Sequence, residues 1–383
     1  MSVLSDDRRL HGHLIGQQGS RRALNTPVLV VDLDVLEANI AAMARKAAAG
    51  GARLRPHAKT HKSVDIARRQ VAAGAFGLCC AKLGEAEALA AGDIPNLHIT
   101  SPVVSAPAIA RLAALNDRSP GLSVVADHPD NVAALAQAAS VERPLTVFVD
   151  VDPGIRRTGV ANDSDAVALA RQIAAAPSLR FGGVQKYCGR EQHIEDFAER
   201  RAAIVAQTEA LSGTIAALTA AGLAPPVVTG GGTGTHEIDL ELGVFNELQV
   251  GSYVFMDDQY LACRLAAEPG ETYGRSLMVE ARVVSANHGP LVTVDAGFKA
   301  FSTDADPPQV LAGAGEGARF AFMGDEHGAV IAPGVGERLR PGDMVTLAVP
   351  HCDPTVNLYE SYHVVRGDTL VDIWPVSARG RSR

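Results

Sequence analysis

A lysine surrounded by other basic side chains follows the first of several short apolar runs. The segment RLRPHAKTHK (53–62) places Lys59 just beyond a predicted strand. Neighbouring cations lower the pKa of an amine and so help it attack a carbonyl carbon. A single lysine at a strand end is commonly only a solvated charge, but this one has four basic neighbours. They are Arg55, His57, His61 and Lys62. These neighbours would therefore help Lys59 to form a Schiff base.

A glycine-rich turn offers a second chemical feature. The segment TGGGTGT (229–235) follows a predicted strand and is expected to open a helix. Glycines let backbone N–H groups approach a phosphate closely, and a helix N-terminus adds a favourable dipole. Tight turns also need glycine, so the turn alone is weak evidence. The candidate phosphate-binding residues are Gly231, Gly232 and Thr233, with Gly251, Ser252 and Tyr253 as the other half of the site.

A histidine and a carboxylate stand two residues apart in PHCDPTVNL (350–358). We predict that His351 and Asp353 end a β-strand, where a period of two places both side chains on one face and Cys352 on the other. Such a pair suits a divalent ion of the Mn, Mg, Co or Zn kind. Alone, two polar residues at a strand end are usually only solvated.

Alternating strands and helices must position these groups. Apolar runs lie near residues 53–57, 76–79, 97–100, 122–125, 145–149, 181–185, 226–229 and 246–250, and Ala-rich helical stretches separate them. This pattern predicts a parallel sheet with right-handed crossovers. Eight βα units favour a (β/α)8 TIM-type barrel, with a doubly wound open sheet as the alternative.

The pattern changes near residue 265. Alternating stretches such as LMVEARVVSA, PLVTVDAGF and DMVTLAVP, divided by Gly- and Pro-rich turns, predict a mostly antiparallel β domain. We place the barrel domain at residues 26–265 and the β domain at residues 266–383 together with the N-terminal segment 1–25. The strand near 27–33 precedes the eight and is also compatible with the β domain.

Composition narrows the class of protein. The chain has 383 residues, 47% of them apolar, and a formal net charge of −8, which argues against a nucleic-acid or anionic membrane partner. No signal peptide and no apolar run of membrane-spanning length is recognisable. Five cysteines without a metal or disulfide spacing fit a reducing compartment, so we expect a cytoplasmic protein.

Several segments in order resemble one known family. They are TPVLVVDLDVLEANI, RPHAKTHK, GLCCAKLGEAEAL, VDPGIRRTGV, VTGGGTGT, NELQVGSYVFMD, VDAGFKAFSTD, DEHG, HCDPTVNL and WPVSARG. They look like the D-threonine aldolase and D-serine dehydratase group of fold-type III pyridoxal-phosphate enzymes, related to alanine racemase. The resemblance covers nearly the whole chain after residue 26. It implies that Lys59 carries pyridoxal phosphate.

The resemblance also implies residues that contact the cofactor ring. In related racemases an arginine faces the pyridine nitrogen from the segment matching LQVGSY, and the matching residue here is Gln249. Tyr187 is a second candidate, and Arg157 matches an arginine expected near the cofactor. Because neither Gln249 nor Tyr187 can donate a full cation, we expect the ring to be a moderated electron sink.

The metal motif of the family matches His351 and Asp353. Its D-serine dehydratases are expected to use Cys as the second ligand, which favours zinc. Asp353 instead favours Mn²⁺ or Mg²⁺, as in the aldolase branch, with Zn²⁺ or Co²⁺ possible. His193 in GREQH is a candidate base for the substrate hydroxyl, directly or through a metal-bound water. Asp325 and His327 are candidates for lining the pocket, in this or a partner subunit.

These expectations together predict a metal-activated D-threonine aldolase that acts on a small D-3-hydroxyamino acid and forms a homodimer. A 3-hydroxy-D-aspartate aldolase and a dehydratase of D-serine or 3-hydroxyaspartate are the alternatives. A non-catalytic cofactor carrier would lack the β domain and the metal pair. A racemase would need a second acid or base, such as Tyr359 or Tyr362.

Overall fold

The computed structural model describes residues 6–267 and 273–383 and contains two sheets. The strands are Val28–Asp32 (β1), Arg53–Leu54 (β2), Cys79–Cys80 (β3), His98–Ile99 (β4), Ser123–Ala126 (β5), Leu145–Asp150 (β6), Leu179–Lys186 (β7), Val227–Gly230 (β8), Glu247–Leu248 (β9), Leu277–His288 (β10), Leu291–Val294 (β11), Val310–Ala312 (β12), Arg319–Phe322 (β13), Gly328–Ile331 (β14), Met344–Ala348 (β15), Ser361–Arg366 (β16) and Thr369–Pro375 (β17).

Helices alternate with the strands of the first sheet. They are Asp6–His11 (α1), Leu33–Ala49 (α2), Val64–Ala72 (α3), Leu83–Ala90 (α4), Ala106–Arg118 (α5), Pro129–Ala138 (α6), Asp163–Ala175 (α7), Phe197–Ala220 (α8), His236–Leu242 (α9), Asp258–Leu261 (α10), Val335–Arg338 (α11) and Cys352–Val356 (α12). Short 3-10 turns occur at Gly12–Leu14, Ser20–Ala23, Glu191–His193 and Ser252–Val254.

The first sheet is a closed parallel barrel. Its eight strands run in the order β2-β9-β8-β7-β6-β5-β4-β3. A parallel bridge between His57 and Cys79 joins the two end strands, with hydrogen bonds of 2.8 Å from Cys79 N to Pro56 O and from Ala58 N to Cys79 O. The predicted barrel is therefore confirmed, and the open sheet is excluded.

Local sequence explains where the helices start. The Asp32 carboxylate accepts hydrogen bonds from two backbone N–H groups of α2, and Asn162 and Asp196 cap α7 and α8 in the same way. These caps satisfy donors that the first helical turn leaves free. Each helix then covers a buried strand; β5, for example, is buried along its whole length.

The second sheet is mostly antiparallel, as predicted. Its main path is β13-β14-β11-β10-β1-β16-β17, and β15 pairs with both β10 and β12. The β1 strand lies in this sheet, antiparallel to β10 and parallel to β16. The chain thus adds β1 to the β domain, then forms the barrel, and then returns to the β domain. A barrel domain that begins at residue 26 would therefore include one strand of the other sheet.

Two further predictions concern the domain boundary and the segment that carries His351 and Asp353. The proposed boundary near residue 265 lies beside residues 268–272, which, like residues 1–5 of the N-terminal segment, are outside the described residues. The predicted strand through His351 and Asp353 is wrong, because β15 ends at Ala348 and Cys352–Val356 is helical. Pro350 cannot donate to a strand ladder, and Pro354 fits a first helical turn.

No helix in the described ranges combines the length and apolarity needed to cross a membrane.

A bulge in β7 sets the direction of the strand end that carries Gln185 and Tyr187. The pairing of β6 with β7 shifts by one residue at Phe148 and Gly183, and Gly183 has φ +124°. A Cβ at Gly183 would overlap the Val227 carbonyl oxygen of the neighbouring strand. Only glycine fits this backbone position.

Gly183→Ala should therefore lower the free energy of unfolding by at least about 2 kcal/mol more than Gly222→Ala. Gly222 also has positive φ, +78°, but its Cβ would enter open space. Chemical denaturation of both variants measures the difference. Equal destabilisation would show that β7 tolerates a side chain at its bulge.

Candidate active site

Lys59 lies where the barrel meets the β domain. Its Nζ is 3.2 Å from Asp353 Oδ2, and its side chain is 38% exposed, so the amine is accessible. The Asp353 carboxylate raises the pKa of Lys59 to about 12, although burial acts in the opposite direction. The expectation that neighbouring cations lower this pKa is therefore wrong.

The basic neighbours are neutralised by other partners. Arg55 pairs with Glu247 at 3.1 Å, and Lys62 pairs with Glu85 at 2.8 Å. Burial lowers the pKa of His57 well below its ordinary value and that of His61 to about 4, so neither ring is charged at neutral pH. Among the described residues, the Lys59 amine pairs with the carboxylate of Asp353, which lies far away in the sequence.

Four of the predicted cofactor-binding residues line one cavity of about 580 Å³. They are Lys59, Arg157, Tyr187 and Gln249. The Tyr187 ring lies between two cations, with its centre 5.9 Å from Lys59 Nζ and 5.5 Å from Arg157 Cζ. Lys82 and Asp127 also line the cavity, which therefore carries more positive than negative charge and suits an anionic ligand.

The two predicted phosphate turns touch each other beside this cavity. Tyr253 N donates to Thr233 Oγ1 at 3.0 Å. A Cβ on Gly251 would lie 3.1 Å from Thr60 Oγ1, in the loop that carries Lys59. The Tyr253 ring is buried and its hydroxyl accepts a hydrogen bond from Gln70 at 3.0 Å, so its side chain is structural. Ser252 is buried beside it.

Gln192, which sequence reasoning missed, joins the loop of His193 to the glycine turn. Its Oε1 accepts from Gly234 N at 3.0 Å, and its Nε2 donates to Thr235 Oγ1 at 3.1 Å. A Cβ on Gly232 would overlap Gln192 Oε1, so glycine is required there for this contact. No periodic pattern marks a loop glutamine as buried, and its partners are distant in sequence.

A buried carboxylate, Asp239, contacts the same glycine turn. Asp239 Oδ2 accepts from Thr235 Oγ1 at 2.6 Å and would lie 2.6 Å from a Cβ on Gly231, which has φ +72°. Burial raises the pKa of Asp239 to about 7, although the Thr235 hydrogen bond favours the ionised form. Burial therefore favours the protonated form of this carboxyl group.

The predicted metal pair reaches the Lys59 amine from the β domain. Asp353 contacts Lys59, and His351 Nδ1 donates to Asp304 Oδ2 at 2.7 Å. A carboxylate on one imidazole nitrogen leaves Nε2 as the ligand atom, the arrangement usual for metal-binding histidines. Asp353 Oδ1 is buried with no hydrogen-bond partner among the described residues. These residues fit a divalent ion, and Cys352, fully buried with its N–H bound to Asp257, faces away.

His193 lies near the same groups. Partial desolvation lowers its pKa, and His351 and Lys59 lower it further, while Asp353 raises it. Its ring is exposed and its centre is 4.6 Å from that of Tyr260. A histidine that is neutral at pH 7 can accept a proton there. Asp325 and His327 lie exposed in the loop between β13 and β14, and their role in a pocket stays a prediction.

In the described ranges, another group of three side chains has its potential ligand atoms close enough together to bind a metal ion. It is Asp7, His11 and His363, with ligand atoms within 4.8 Å of one another. However, Asn25 N donates to His11 Nε2 at 3.0 Å, so the ring proton is on Nδ1, which donates to His363 Nε2 at 2.8 Å. Hydrogen bonds therefore already occupy the ring nitrogens that a metal would need, and we assign no ion to this cluster.

This fold and this lysine cavity define a class of protein. A family model, the alanine racemase N-terminal domain, matches residues 31–259, and a serine dehydratase domain model matches residues 276–365. The chain belongs to this alanine-racemase-like, fold-type III family of pyridoxal-phosphate enzymes.

Particular relatives match almost the whole chain. A 3-hydroxy-D-aspartate aldolase of Paracoccus denitrificans is 40% identical and a D-threonine aldolase of Arthrobacter sp. is 39% identical, each over 94% of this chain and 93% or 94% of the relative. The crystal structure of D-threonine aldolase from Filomicrobium marinum superposes with a TM-score of 0.89 at 37% identity, covering 94% of this chain and 97% of that one.

Replacing Asp239 should change how stability depends on pH. Its pKa of about 7 in the folded chain exceeds the value of about 3.9 in an unfolded chain, so folding favours the protonated form. The stabilisation is complete below about pH 4 and is lost as pH rises to about 7, by up to about 4 kcal/mol. Compared with Asp239→Asn, the wild type should therefore lose free energy of unfolding across this range.

Denaturation of both proteins at several pH values tests this prediction. Asp117→Asn, at an exposed position, is the matched control and should follow the wild type. Parallel pH profiles for the wild type and Asp239→Asn would contradict the buried, protonated carboxyl.

Proposed function

We propose that the chain is a metal-activated, pyridoxal-phosphate-dependent aldolase that cleaves D-3-hydroxyamino acids, with D-threonine giving glycine and acetaldehyde. The observation that carries this proposal is the 3.2 Å contact between Lys59 Nζ and Asp353 Oδ2. It brings together the barrel lysine that we propose holds the cofactor and the β-domain carboxylate that we propose binds the metal. The relatives named above support the same reaction class.

The residues around the cavity have separate tasks in this proposal. Pyridoxal phosphate, when bound, supplies an electron sink for the bond that breaks at Cα. Lys59 would hold it covalently, and the turns at Gly231, Gly232 and Thr233 and at Gly251, Ser252 and Tyr253 would hold its phosphate. Arg157 would bind a carboxylate, and Tyr187 would pack against the ring.

The proposed metal ligands would act at Cβ, on the opposite side of the Cα–Cβ bond from the cofactor. A divalent ion, Mn²⁺ or Mg²⁺ by preference of the carboxylate, with Zn²⁺ or Co²⁺ possible, would supply Lewis acidity. His351 and Asp353 would hold it next to Lys59, where the β-hydroxyl of the substrate must lie. His193 would accept the hydroxyl proton. A homodimer and a cytoplasmic location belong to this proposal.

The alternatives differ in what they require of these residues. A racemase would need a free second acid or base, but the Tyr359 and Tyr362 hydroxyls both donate to backbone carbonyl oxygens. A second substrate, 3-hydroxy-D-aspartate, is favoured by the cations Arg157 and Lys82 in the cavity, which could bind its additional carboxylate.

Product analysis tests the function. Purified protein with pyridoxal phosphate and Mn²⁺ should convert D-threonine to equal amounts of glycine and acetaldehyde, and EDTA should abolish the reaction. Lys59→Ala should lose both turnover and the near-visible absorbance of covalently bound cofactor. D-3-hydroxyaspartate, assayed in parallel, should yield glycine and glyoxylate. Ammonia and 2-oxobutyrate from D-threonine would instead establish a dehydratase.

Asp353→Asn should selectively weaken metal binding, and with it the metal-stimulated activity. The substitution keeps the shape of the side chain but weakens the ligand, so Mn²⁺-stimulated cleavage should fall by at least about 100-fold. Cofactor absorbance should be retained, because Asp353 contacts Lys59 but does not line the cavity. Asp306→Asn, at an exposed carboxylate nearby, is the control. An unchanged response of Asp353→Asn to Mn²⁺ and EDTA would exclude it as a ligand.

A further inference from the structure

Two glutamines from different strands form part of the cavity wall inside the barrel. Gln185 comes from β7 and Gln249 follows β9, and both side chains are buried while lining the cavity. An amide has a donor end and an acceptor end, so its orientation decides which kind of group the cavity can bind. The hydrogen bonds around these two residues fix that orientation.

The Gln185 amide can point in only one direction. Its Nε2 donates to Asp150 Oδ1 at 2.9 Å and to the Thr100 carbonyl oxygen at 3.2 Å. Exchanging the amide ends would place Gln185 Oε1 against two acceptors. Burial raises the pKa of Asp150 only to about 6, so its carboxylate is an acceptor at neutral pH. Gln185 Oε1 must therefore face inward, where it lies 3.0 Å from His98 Nε2.

The fixed Gln185 in turn orients Gln249. Gln249 Nε2 donates to Gln185 Oε1 at 3.1 Å and to Thr229 Oγ1 at 3.0 Å, which uses both of its protons. Gln249 Oε1 receives no hydrogen bond from the residues that the structure describes. This oxygen is also not fully enclosed by protein atoms. Gln249 thus offers the cavity a carbonyl oxygen, which is an acceptor.

We infer that Gln249 selects a cofactor ring whose pyridine nitrogen is protonated. This inference rests on the proposed function, in which the ring occupies the cavity that Lys59 and Gln249 line, and on the resemblance that matches Gln249 to the residue facing the pyridine nitrogen in related racemases. A ring N–H would donate to Gln249 Oε1, whereas an unprotonated nitrogen would place two lone pairs against each other. The positive charge then belongs to the ring itself.

This inference reverses the expectation of a moderated electron sink. A protonated ring withdraws electrons more strongly than a neutral one, which suits a reaction that breaks a carbon–carbon bond. Gln249 would contact the cofactor, whereas Gln185 and Asp150 are positioning residues that act through it. The carboxylate of Asp150 therefore orients Gln185, and Gln185 orients Gln249. Through these two amides, Asp150 determines which protonation state of the ring nitrogen is bound.

Nitrogen-15 NMR of protein reconstituted with ring-labelled pyridoxal phosphate tests the inference without relying on activity. The wild type should show a protonated ring nitrogen at pH 7. Gln249→Leu removes the acceptor and should lower the apparent pKa of the nitrogen by about one to two units. Gln249→Glu, which strengthens the acceptor, should raise it.

Two further variants test whether the orientation of the Gln249 amide, and not a general structural change, sets the pKa of the ring nitrogen. Gln185→Leu leaves Gln249 in place but frees its amide to turn, so the apparent pKa of the ring nitrogen should fall. Gln172→Leu, on α7 outside the barrel, should match the wild type. An unprotonated nitrogen in the wild type, or equal pKa values in the wild type and Gln249→Leu, would overturn the inference. Absence of covalent cofactor at Lys59 would instead refute the proposed function.

Discussion

The ion pair between Lys59 and Asp353 is the contact on which the site depends. Lys59 follows the first barrel strand, and Asp353 lies in a short helix of the β domain, so the pair forms only when both domains are folded and packed. It also gives each group a temporary partner: the carboxylate stabilises an ammonium, and the ammonium neutralises a buried carboxylate. A cofactor that takes up the amine and a metal that takes up the carboxylate would each remove one member, so their binding should be thermodynamically linked.

The barrel supports this contact with a polar interior. Arg55 NH1 donates to Ser123 Oγ at 3.0 Å, Ser123 Oγ lies 2.9 Å from His98 Nδ1, and His98 leads on to Gln185. Buried polar groups are costly unless each has a partner, so such a network has few alternative arrangements. The glycine turn depends on similar buried partners in Gln192 and Asp239. Both networks fix side chains at the open end of the barrel while helices cover its outside.

Much of the fold could be predicted because it depends on local patterns. All eight barrel strands lie within or beside the apolar runs, and TGGGTGT does separate a strand from a helix. Four barrel strands, β2, β3, β4 and β9, are two residues long and shorter than these runs, whereas β6 and β7 extend beyond them. The strand predicted for His351 and Asp353 does not form, because Pro350 cannot donate to a strand ladder and Pro354 fits a helical turn.

The chemistry of the site was harder to predict because it depends on contacts between distant segments. The neighbours of Lys59 in sequence suggested a lowered pKa, yet Asp353 raises it. Asp304, which orients His351, and Gln192, which joins the His193 loop to the glycine turn, carry no local signal. The direction of the Gln249 amide follows from Asp150 and Gln185, two residues that sequence reasoning did not connect with it.

The most direct test of the account is the crystal structure of the protein grown with pyridoxal phosphate and Mn²⁺, with anomalous scattering used to locate the metal. We predict electron density continuous from Lys59 Nζ into the cofactor and one manganese bound by His351 Nε2 and an Asp353 oxygen. Manganese at Asp7, His11 and His363 instead, or a cofactor not joined to Lys59, would contradict it.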